Sequence, residues 1–574
     1  MSSGHAAVRL LAAVCLLPGL LAGCTGRAEP PAPRAPAGAV SPATTITWAL
    51  GEQPRQYNPL SASGGGPVDT AVLSGVLGAF SRSAPDGSVQ PTTDFGTYRK
   101  ISDDPLTVRY TIDPRAVWSD GIPVDCDDVS LAWLANSGVT GERGFAALDV
   151  ARFQDMNRPR CQAGDKTFTV TYRAPVADWR SAFGPGAGWL LPAHVVERQA
   201  GLPKTFVEYA ETPRSPDLAR AAAFWNTGWA LTPGQVRHDL LLSSGPYVID
   251  SWEAGHALTL RPNPRWWGRP PNAGSVVVRF LGVEDQVQGV LTGGVQVIEP
   301  AADAGLAARL RADPKVRSGA VRLVTGFRRQ IEHLGLNAHG VFADRAVREA
   351  FARCVPRAAI VAKIVKPVNP AAAPLRSRLV LPTAAGYAGF APAAQPFDAV
   401  DVAGARTLLG GRAVTVRIGW RKDPDQPNQA RLDTLALITA SCKQAGITVV
   451  DVGSPTFLDR EWRTGAYDAA LMAWNGGEGV TGDADLYLTG GASNLHGYSD
   501  PQVDRLFALL ARQPDPDRQT DLLRRIDALL WQDVATVPLY AYPALVAVSS
   551  DIGGISVNPS DADVAWNLAE WSRS

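Results

Sequence analysis

The sequence lacks the features on which several classes of protein depend. Its 574 residues carry 55 Lys and Arg against 55 Asp and Glu, so no basic excess is available to neutralise the phosphates of a nucleic acid. The motifs GxSxG and HExxH do not occur, and the seven His stand at no metal-ligand spacing. We therefore expect no nucleic-acid partner, no metal, no cofactor and no enzymatic activity. A secreted hydrolase is an alternative, because a Ser, a His and an Asp can meet in space without a local motif.

Long apolar runs are equally scarce. The one near the start, Leu10 to Gly23, is shorter than the ~20 residues that a membrane-spanning helix needs and is typical of a signal peptide. It ends in LAGC, residues 21–24, which resembles the bacterial lipobox, whose Cys becomes the attachment point of diacylglycerol. We expect residues 1–23 to be a signal peptide and Cys24 to be lipidated.

The segment that follows, residues 24–45, is rich in Pro, Ala, Gly, Ser and Thr. Such a composition forms no core and favours extended polyproline II structure. We expect a tether that leaves the rest of the chain outside the cytoplasm, anchored to the cell membrane by lipid on its periplasmic or cell-envelope face.

Cysteine is sparse, with six in the whole chain. Four are left once the signal peptide and the lipidated Cys24 are set aside, an even number in an oxidising compartment. No CxxC occurs, which disfavours a metal site. Three pairings are possible, and four buried free thiols are the alternative. If each pair belongs to one structural unit, the disulfides are Cys126–Cys161 and Cys354–Cys442.

Residues 414–474 show the alternation of an α/β fold. The order is strand VTVRIGW, helix ARLDTLALITASCKQAG, strand ITVVDV, helix PTFLDREWRTG and strand YDAALMAW. The first helix starts at Ala430, carries apolar residues at helical spacing and ends at Gly446. Strands that alternate with helices predict a mostly parallel sheet with covered faces.

A dense motif, AVWSDGIPVDCDDVSLAW, occupies residues 116–133. Its Ser-Asp-Gly sequence favours a tight turn. Asp125, Asp127 and Asp128 then open a helix, where their charge complements the helix dipole. A calcium loop is the alternative, but the ligand order and the Gly of an EF-hand are missing.

This motif and several others, in the same order along the chain, resemble the family 5 extracellular solute-binding proteins of ABC importers, the oligopeptide- and dipeptide-binding class. The resemblance runs from about residue 46 to residue 574. The segments that carry it are TVRYTIDPRAVWSDGIPVDCDDVSLAW (107–133), YNPL (57–60), LPAH (191–194), SGPY (244–247), LTLRPNP (258–264), LGLN (334–337), DRAVREAF (344–351), GYSDP (497–501) and VPLY (537–540).

The resemblance implies an α/β, two-lobed periplasmic-binding-protein fold of the large class, with a ligand cleft between the lobes and an extra subdomain. We expect the chain to cross between the lobes near residues 300 and 490. The implied organisation is 46–70, 190–300 and 491–574 in lobe I, 71–189 in the extra subdomain of lobe I, and 301–490 in lobe II.

The resemblance also implies a site. In the peptide binders a Trp at the position of Trp474 lines the cleft, and an Asp three residues later pairs with the α-amino group of the peptide. That position here is Gly477, and the nearest acid is Glu478, so the ammonium partner is shifted or absent. The loop that follows Leu60 implies the second wall. The expected ligand-binding residues are Ser61, Ser63, Gly64, Gly65, Trp474, Asn475, Gly476, Gly477 and Glu478.

The function that follows is a lipid-anchored receptor that captures a peptide or another small solute. We expect a monomer whose partners are an ABC permease and its ATPase, with the N-terminal lipid holding it at the membrane. A scaffold or regulator of cell-envelope glycolipid assembly with the same fold is the alternative, because the missing ammonium partner at Gly477 would permit it.

Overall fold

The computed structural model describes residues 44–62, 64–141, 144–186, 188–477 and 479–574. The predicted signal peptide, the lipidated Cys24 and nearly all of the tether lie outside these ranges. No helix in the ranges is both long and apolar enough to cross a membrane.

The part of the chain before residue 300 supplies ten strands and six α-helices among the residues described. The strands are β1 (Thr45–Leu50), β2 (Ser81–Ser83), β3 (Val89–Pro91), β4 (Gly96–Asp103), β5 (Leu106–Ile112), β6 (Thr167–Thr171), β7 (Tyr247–Glu253), β8 (Ala257–Pro262), β9 (Ser275–Phe280) and β10 (Val297–Ile298). The helices are α1 (Pro67–Leu73), α2 (Cys126–Asn136), α3 (Ala193–Ala200), α4 (Phe206–Tyr209), α5 (Leu218–Thr227) and α6 (Val283–Thr292).

The part after residue 300 adds the remaining strands and helices. The strands are β11 (Val321–Leu336), β12 (Val414–Gly419), β13 (Ile447–Asp451), β14 (Ala469–Trp474), β15 (Thr536–Ser549), β16 (Ile552–Gly553) and β17 (Ser572–Arg573). The helices are α7 (Ala304–Ala312), α8 (Pro314–Arg317), α9 (Arg345–Cys354), α10 (Arg357–Ile364), α11 (Ala391–Ala394), α12 (Val402–Leu409), α13 (Gln429–Gln444), α14 (Glu461–Thr464), α15 (Pro501–Ala511) and α16 (Pro516–Gln532). Short 3₁₀ helices cover Trp179–Ser181, Gly340–Ala343, Tyr387–Phe390, Gln395–Phe397, Ala484–Leu486 and Asp563–Glu570.

One mixed sheet runs through both halves of the molecule, in the order β13-β12-β14-β11-β15-β10-β1-β9-β8-β7. At one end β12 is parallel to both β13 and β14, as the strand and helix alternation predicts. In the middle the two long strands β11 and β15 pair antiparallel. A smaller antiparallel sheet, β4-β5-β6, forms apart from it.

The two long strands connect two apolar cores. In β11, Val321 packs with the core near β1 and β10, whereas Leu334 packs with the core around β12 and β14. In β15 the order is reversed, since Leu539 belongs to the second core and Leu545 to the first. We call the part of the molecule around the first core the first half and the part around the second core the second half. The lobes of the predicted fold are therefore joined through these strands.

Residues 501–532 pack with the second of these halves. Leu506 of α15 and Ile526 of α16 share a cluster with Phe390, and Trp531 belongs to the core around β12 and β14. The sequence prediction placed 491–574 in lobe I and the crossings near residues 300 and 490. From this packing we propose crossings within β11 and β15 instead, with residues 491–540 in lobe II.

Asp125 caps α2, as the motif predicts. Its side chain accepts a hydrogen bond from the backbone N–H of Asp127 at 2.8 Å, and Asp128 Oδ2 accepts from the N–H of Asp125 at 3.0 Å. Asp128 also accepts from the N–H of Ala193 and from Trp118 Nε1. The bonds between Asp125, Asp127 and Asp128 cap the start of α2, and the bonds from Ala193 and Trp118 anchor Asp128 to its surroundings.

Both disulfides have the predicted pairing. Cys126 at the start of α2 bonds to Cys161, and Cys354 at the end of α9 bonds to Cys442 of α13. Each bond closes a loop within one half of the molecule, across 35 and 88 residues respectively.

The structure corrects the predicted helix over 455–465. Only α14, Glu461–Thr464, is helical, and the residues before it form turns. Phe457 is fully buried in a small cluster with Tyr467 and Met472. Packing of this one side chain against β14 overrides the helical spacing of the segment.

Candidate functional site

A cavity of about 280 Å³ lies where the two halves of the molecule face each other. One wall comes from the first half, from the β2–β3 hairpin and the residues around Arg152 and Asp178. The opposite wall comes from the second half, at the end of β14 and in the segment 379–384. The sides are closed by Arg329 of β11 and by residues 558–560.

Trp474 and Asp483 form a pair in the second wall. Trp474 ends β14, and its Nε1 donates a hydrogen bond of 2.9 Å to Asp483 Oδ1. Burial raises the pKa of Asp483 to about 7, against the opposing effects of the Trp474 hydrogen bond and the Arg329 charge. In a carboxyl group with such a pKa, the ionised form is stabilised strongly when a cation comes close.

The glycine loop after Trp474 brings these two residues together. The chain turns back where the N–H of Gly477 donates to the carbonyl of Gly482 at 2.9 Å. Gly476 has φ of +58°, and a Cβ there would lie 2.6 Å from Asp483 Oδ1. A side chain at this position would therefore displace the carboxylate.

The same loop reaches the opposite wall. The backbone N–H of Val480 donates to Asp178 Oδ1 at 3.1 Å, and Asp178 directly precedes the 3₁₀ helix Trp179–Ser181. A Cβ on Gly479, which has φ of +102°, would lie 2.5 Å from Asp178 Oδ2. Burial raises the pKa of Asp178, and the positive charge of Arg152 counteracts this. The loop thus makes a direct polar contact between the two halves of the molecule.

An ion-pair cluster lies beside the cavity, where the register of β11 and β15 shifts between Phe327 and Ile331. Arg328 contacts Glu299 at 3.0 Å and Asp563 at 3.3 Å, and Arg329 contacts Asp561 at 2.6 Å. Burial raises the pKa of Glu299, as does its neighbour Asp563, while Arg328 lowers it. The cluster ties the irregular part of β11 to the first half of the molecule.

Comparison with known proteins decides the family. A family model described as bacterial extracellular solute-binding proteins, family 5 Middle, matches residues 90–496. The chain belongs to this family. It is 32% identical over 560 residues to an uncharacterized lipoprotein of Mycobacterium tuberculosis, an alignment that covers 92% of this chain and 95% of the relative.

Two other proteins that are similar to this chain are named for what they bind. The chain is 25% identical over 525 residues to the oligopeptide-binding protein OppA of Mycobacterium bovis, covering 88% of this chain and 81% of the relative. Among solved structures it is similar to the periplasmic EDTA-binding protein EppA, with a TM-score of 0.77 and 21% identity over 94% of this chain and all of that one. The predicted two-lobed fold of a family 5 solute-binding protein is confirmed.

Four of the predicted site residues lie together on the cavity wall: Trp474, Asn475, Gly476 and Gly477. Asn475 and Gly477 are exposed, whereas Trp474 and Gly476 are half-buried. Ser63 and Glu478 fall outside the described residues. Any contact of these residues with a ligand stays a prediction.

The other predicted wall lies elsewhere. Ser61 is fully buried, pairs with Ala147 in an isolated bridge and donates its hydroxyl to the carbonyl of Asn58. A Cβ on Gly64 would lie 2.2 Å from Gln56, and one on Gly65 would lie 2.5 Å from the carbonyl oxygen of Pro59. In this structure the small residues let their own segment fold back closely, and the cavity with Trp474 is lined by other segments.

Sequence reasoning missed two acids that line the cavity, Asp483 and Asp178. Asp483 lies nine residues after Trp474 and meets it only because the glycine loop folds back. Asp178 is 302 residues from Val480, and no local pattern signals that contact. The repeated Gly in 476–482 is the one signal that could have suggested a tight return to Asp483.

Proposed function

We propose that the protein captures a peptide or peptide-like solute in the cavity between its lobes and presents it to the permease of an ABC importer. The observation that carries the proposal is the Trp474–Asp483 pair, which together with Asp178 lines a cavity of about 280 Å³ with walls from both lobes. The family supports a solute-binding role. The name of the relative OppA supports a peptide as the solute.

The chemistry of the cavity suits a ligand with a cationic end. Asp483 has its pKa raised to about 7 by burial, so an ammonium group placed beside it would be stabilised by an ion pair in a poorly solvated site. Trp474 fixes the carboxylate through its indole N–H and offers its ring as an apolar wall. Asp483 thereby replaces the acid that is missing at Gly477.

Ligand binding would favour the closed arrangement of the lobes. A ligand that contacts both Asp483 and the wall around Asp178 binds better when the lobes are close, so it shifts the population toward that state. The contact of Val480 with Asp178 already joins the loop after β14 to the wall around Asp178. The permease and its ATPase then respond to the closed shape.

The location follows from the N-terminal sequence and the relatives. We propose that a lipid on Cys24 holds the receptor, as a monomer, at the outer face of the cell membrane. Globomycin, which blocks the lipoprotein signal peptidase, should cause a larger precursor to accumulate. Cys24→Ala should prevent both lipidation and cleavage, so the same larger precursor should accumulate without the drug. A Cys24→Ala variant that is still processed to the mature size would contradict the lipid anchor.

Calorimetry with defined peptides tests the receptor role. Tri-alanine and penta-alanine should bind the mature protein, and their N-acetylated forms should bind at least tenfold more weakly because the ammonium group is gone. Asp483→Asn should remove that preference. Asp425→Asn, at an exposed acid away from the cavity, should leave it unchanged. If no peptide binds, the peptide receptor role is wrong.

A further inference from the structure

A second cavity, of about 230 Å³, lies within lobe I. It is bounded by the end of α1, by β2 and the segment 91–95, by the loop 266–272 and by the 3₁₀ helix Asp563–Glu570. None of the residues predicted from the sequence to bind a ligand lines it among those that the structure describes.

Indole groups dominate its apolar surface. Trp266 and Trp566 are half-buried and line the cavity, and Trp189 lines it while being only 1% exposed. Because Trp189 is buried, the indoles that a ligand in the cavity would meet are those of Trp266 and Trp566.

The polar surface of this cavity has balanced charge. Arg82 pairs with Glu570 at 2.8 Å and lies over the ring of Trp566, 4.8 Å from its centre. Asp94 and Arg269 add one charge of each sign. No uncompensated charge is left to recruit an ion, and the remaining polar lining consists largely of hydroxyl and amide side chains.

The two cavities are neighbours, since Ser83, at the end of β2, and Ser560 line both of them. Each cavity alone is smaller than the ~300–1,000 Å³ of a typical ligand site. A solute of ordinary size that binds in the first cavity would therefore extend towards the second.

We propose that the second cavity binds a neutral, hydroxyl-rich group, a glycosyl ring, of the same solute whose cationic end lies at Asp483. A sugar ring presents apolar C–H faces to indoles such as Trp266 and hydroxyl groups to donors and acceptors such as Thr93 and Asn272, which are exposed in this lining. The inference rests on the proposed receptor function and narrows its ligand to glycosylated peptide-like solutes.

A matched pair of probes tests this. The tripeptide Ala-Ser-Ala and the same peptide with one O-linked N-acetylglucosamine differ only in the sugar. By calorimetry with the mature protein, the glycosylated peptide should bind at least tenfold more tightly. Trp266→Ala, which removes a half-buried ring from the lining, should reduce that advantage to threefold or less.

Two control comparisons distinguish an effect at the second cavity from a general loss of folding. Trp462→Ala removes another half-buried indole, outside both cavities, and should keep the advantage. Thr93→Trp places a bulky ring at an exposed position of the cavity lining and should abolish it without disturbing the core. Thr97→Trp, exposed on β4 and outside the lining, should not.

The outcomes also distinguish this inference from the receptor proposal. If both peptides bind equally, or if Thr93→Trp keeps the tenfold advantage, the second cavity takes no sugar while the receptor role stands. If neither peptide binds, the receptor role fails, and chitotriose alone becomes the probe. Chitotriose binding that Thr93→Trp removes and Asp483→Asn retains would support the sugar site, and no chitotriose binding would overturn it.

Discussion

Protonation of Asp483 should control how tightly the cleft holds a ligand with a cationic end. Burial raises the pKa of this carboxyl to about 7 in the free protein, and an ammonium ligand needs the ionised form. The ionised fraction is roughly 9% at pH 6 and 1% at pH 5, since each unit below the pKa costs a factor of about ten. The dissociation constant of tri-alanine should therefore rise about tenfold between these two pH values.

The pH interval is chosen so that the peptide itself does not titrate. An α-amino group with a pKa of ~7.7–8.0 stays almost fully protonated from pH 6 to pH 5. Among the neighbours in the cavity, the pKa of Asp86 is lowered by hydrogen bonds from Ser88. Asp178, with its raised pKa, is the other acid that titrates nearby, so the wild-type slope alone does not identify the group.

The variant Asp483→Asn identifies it. Calorimetric titrations at pH 5.0, 5.5 and 6.0 should give the wild type a slope of about one decade per pH unit. The Asn variant should bind more weakly at pH 6 and show a nearly flat profile. Equal slopes in the two proteins would refute the assignment of Asp483 and would favour Asp178 as the titrating group.

Three further predictions concern stability. Burial lowers the pKa of His496 to about 3, so below pH 6.5 the folded state binds fewer protons than the unfolded state and loses stability as the pH falls. Between pH 8 and pH 5, the free energy of unfolding of His496→Asn, measured with urea, should fall by about 2 kcal/mol less than that of the wild type. Equal losses in the two proteins would contradict this. Replacing Cys354 and Cys442 with Ser should lower the free energy of unfolding by up to about 4.6 kcal/mol, because the disulfide closes a loop of 88 residues, and a change below 1 kcal/mol would show that loop closure matters little here. Arg378 and Asp527 are each 1% exposed in side chain and lie 3.5 Å apart, so Arg378→Leu should destabilise the protein by about 3–5 kcal/mol at pH 8, whereas the double variant with Asp527→Leu should recover part of it.

Local patterns in the sequence were sufficient for several parts of the fold. The alternation over 414–474 predicted the parallel strands β12, β13 and β14, because both faces of a covered sheet require apolar strands and amphipathic helices. Asp125 was recognisable as a helix cap because its hydrogen-bond partners, Asp127 and Asp128, lie within three residues of it in the sequence. The cysteine pairing followed from the assumption that each bond stays within one structural unit, which the structure confirms.

The site was predictable only in part. Trp474 and its glycine loop are adjacent in sequence, so one segment revealed them both. Asp178 in the opposite wall and residues 558–560 at the side reach the cavity through tertiary packing and leave no local signal. Glycines at 64 and 65 show why the other predicted wall stays a prediction, since a run of small residues permits close backbone packing as readily as an approach by a ligand.

The cavity and the connection between the lobes share one strand. Ile331 of β11 pairs directly with Trp474, and the register shift begins only four residues earlier, at Phe327. Phe327 faces Pro543 of β15, which has no N–H to donate to the ladder. Arg328 ties this irregular stretch to acids of lobe I, so bending should concentrate between Arg328 and Ile331. Because Ile331 carries Trp474 with it, any rotation of the lobes there changes the distance between the indole and the opposite wall, and a ligand that bridges this gap must act on the same rotation.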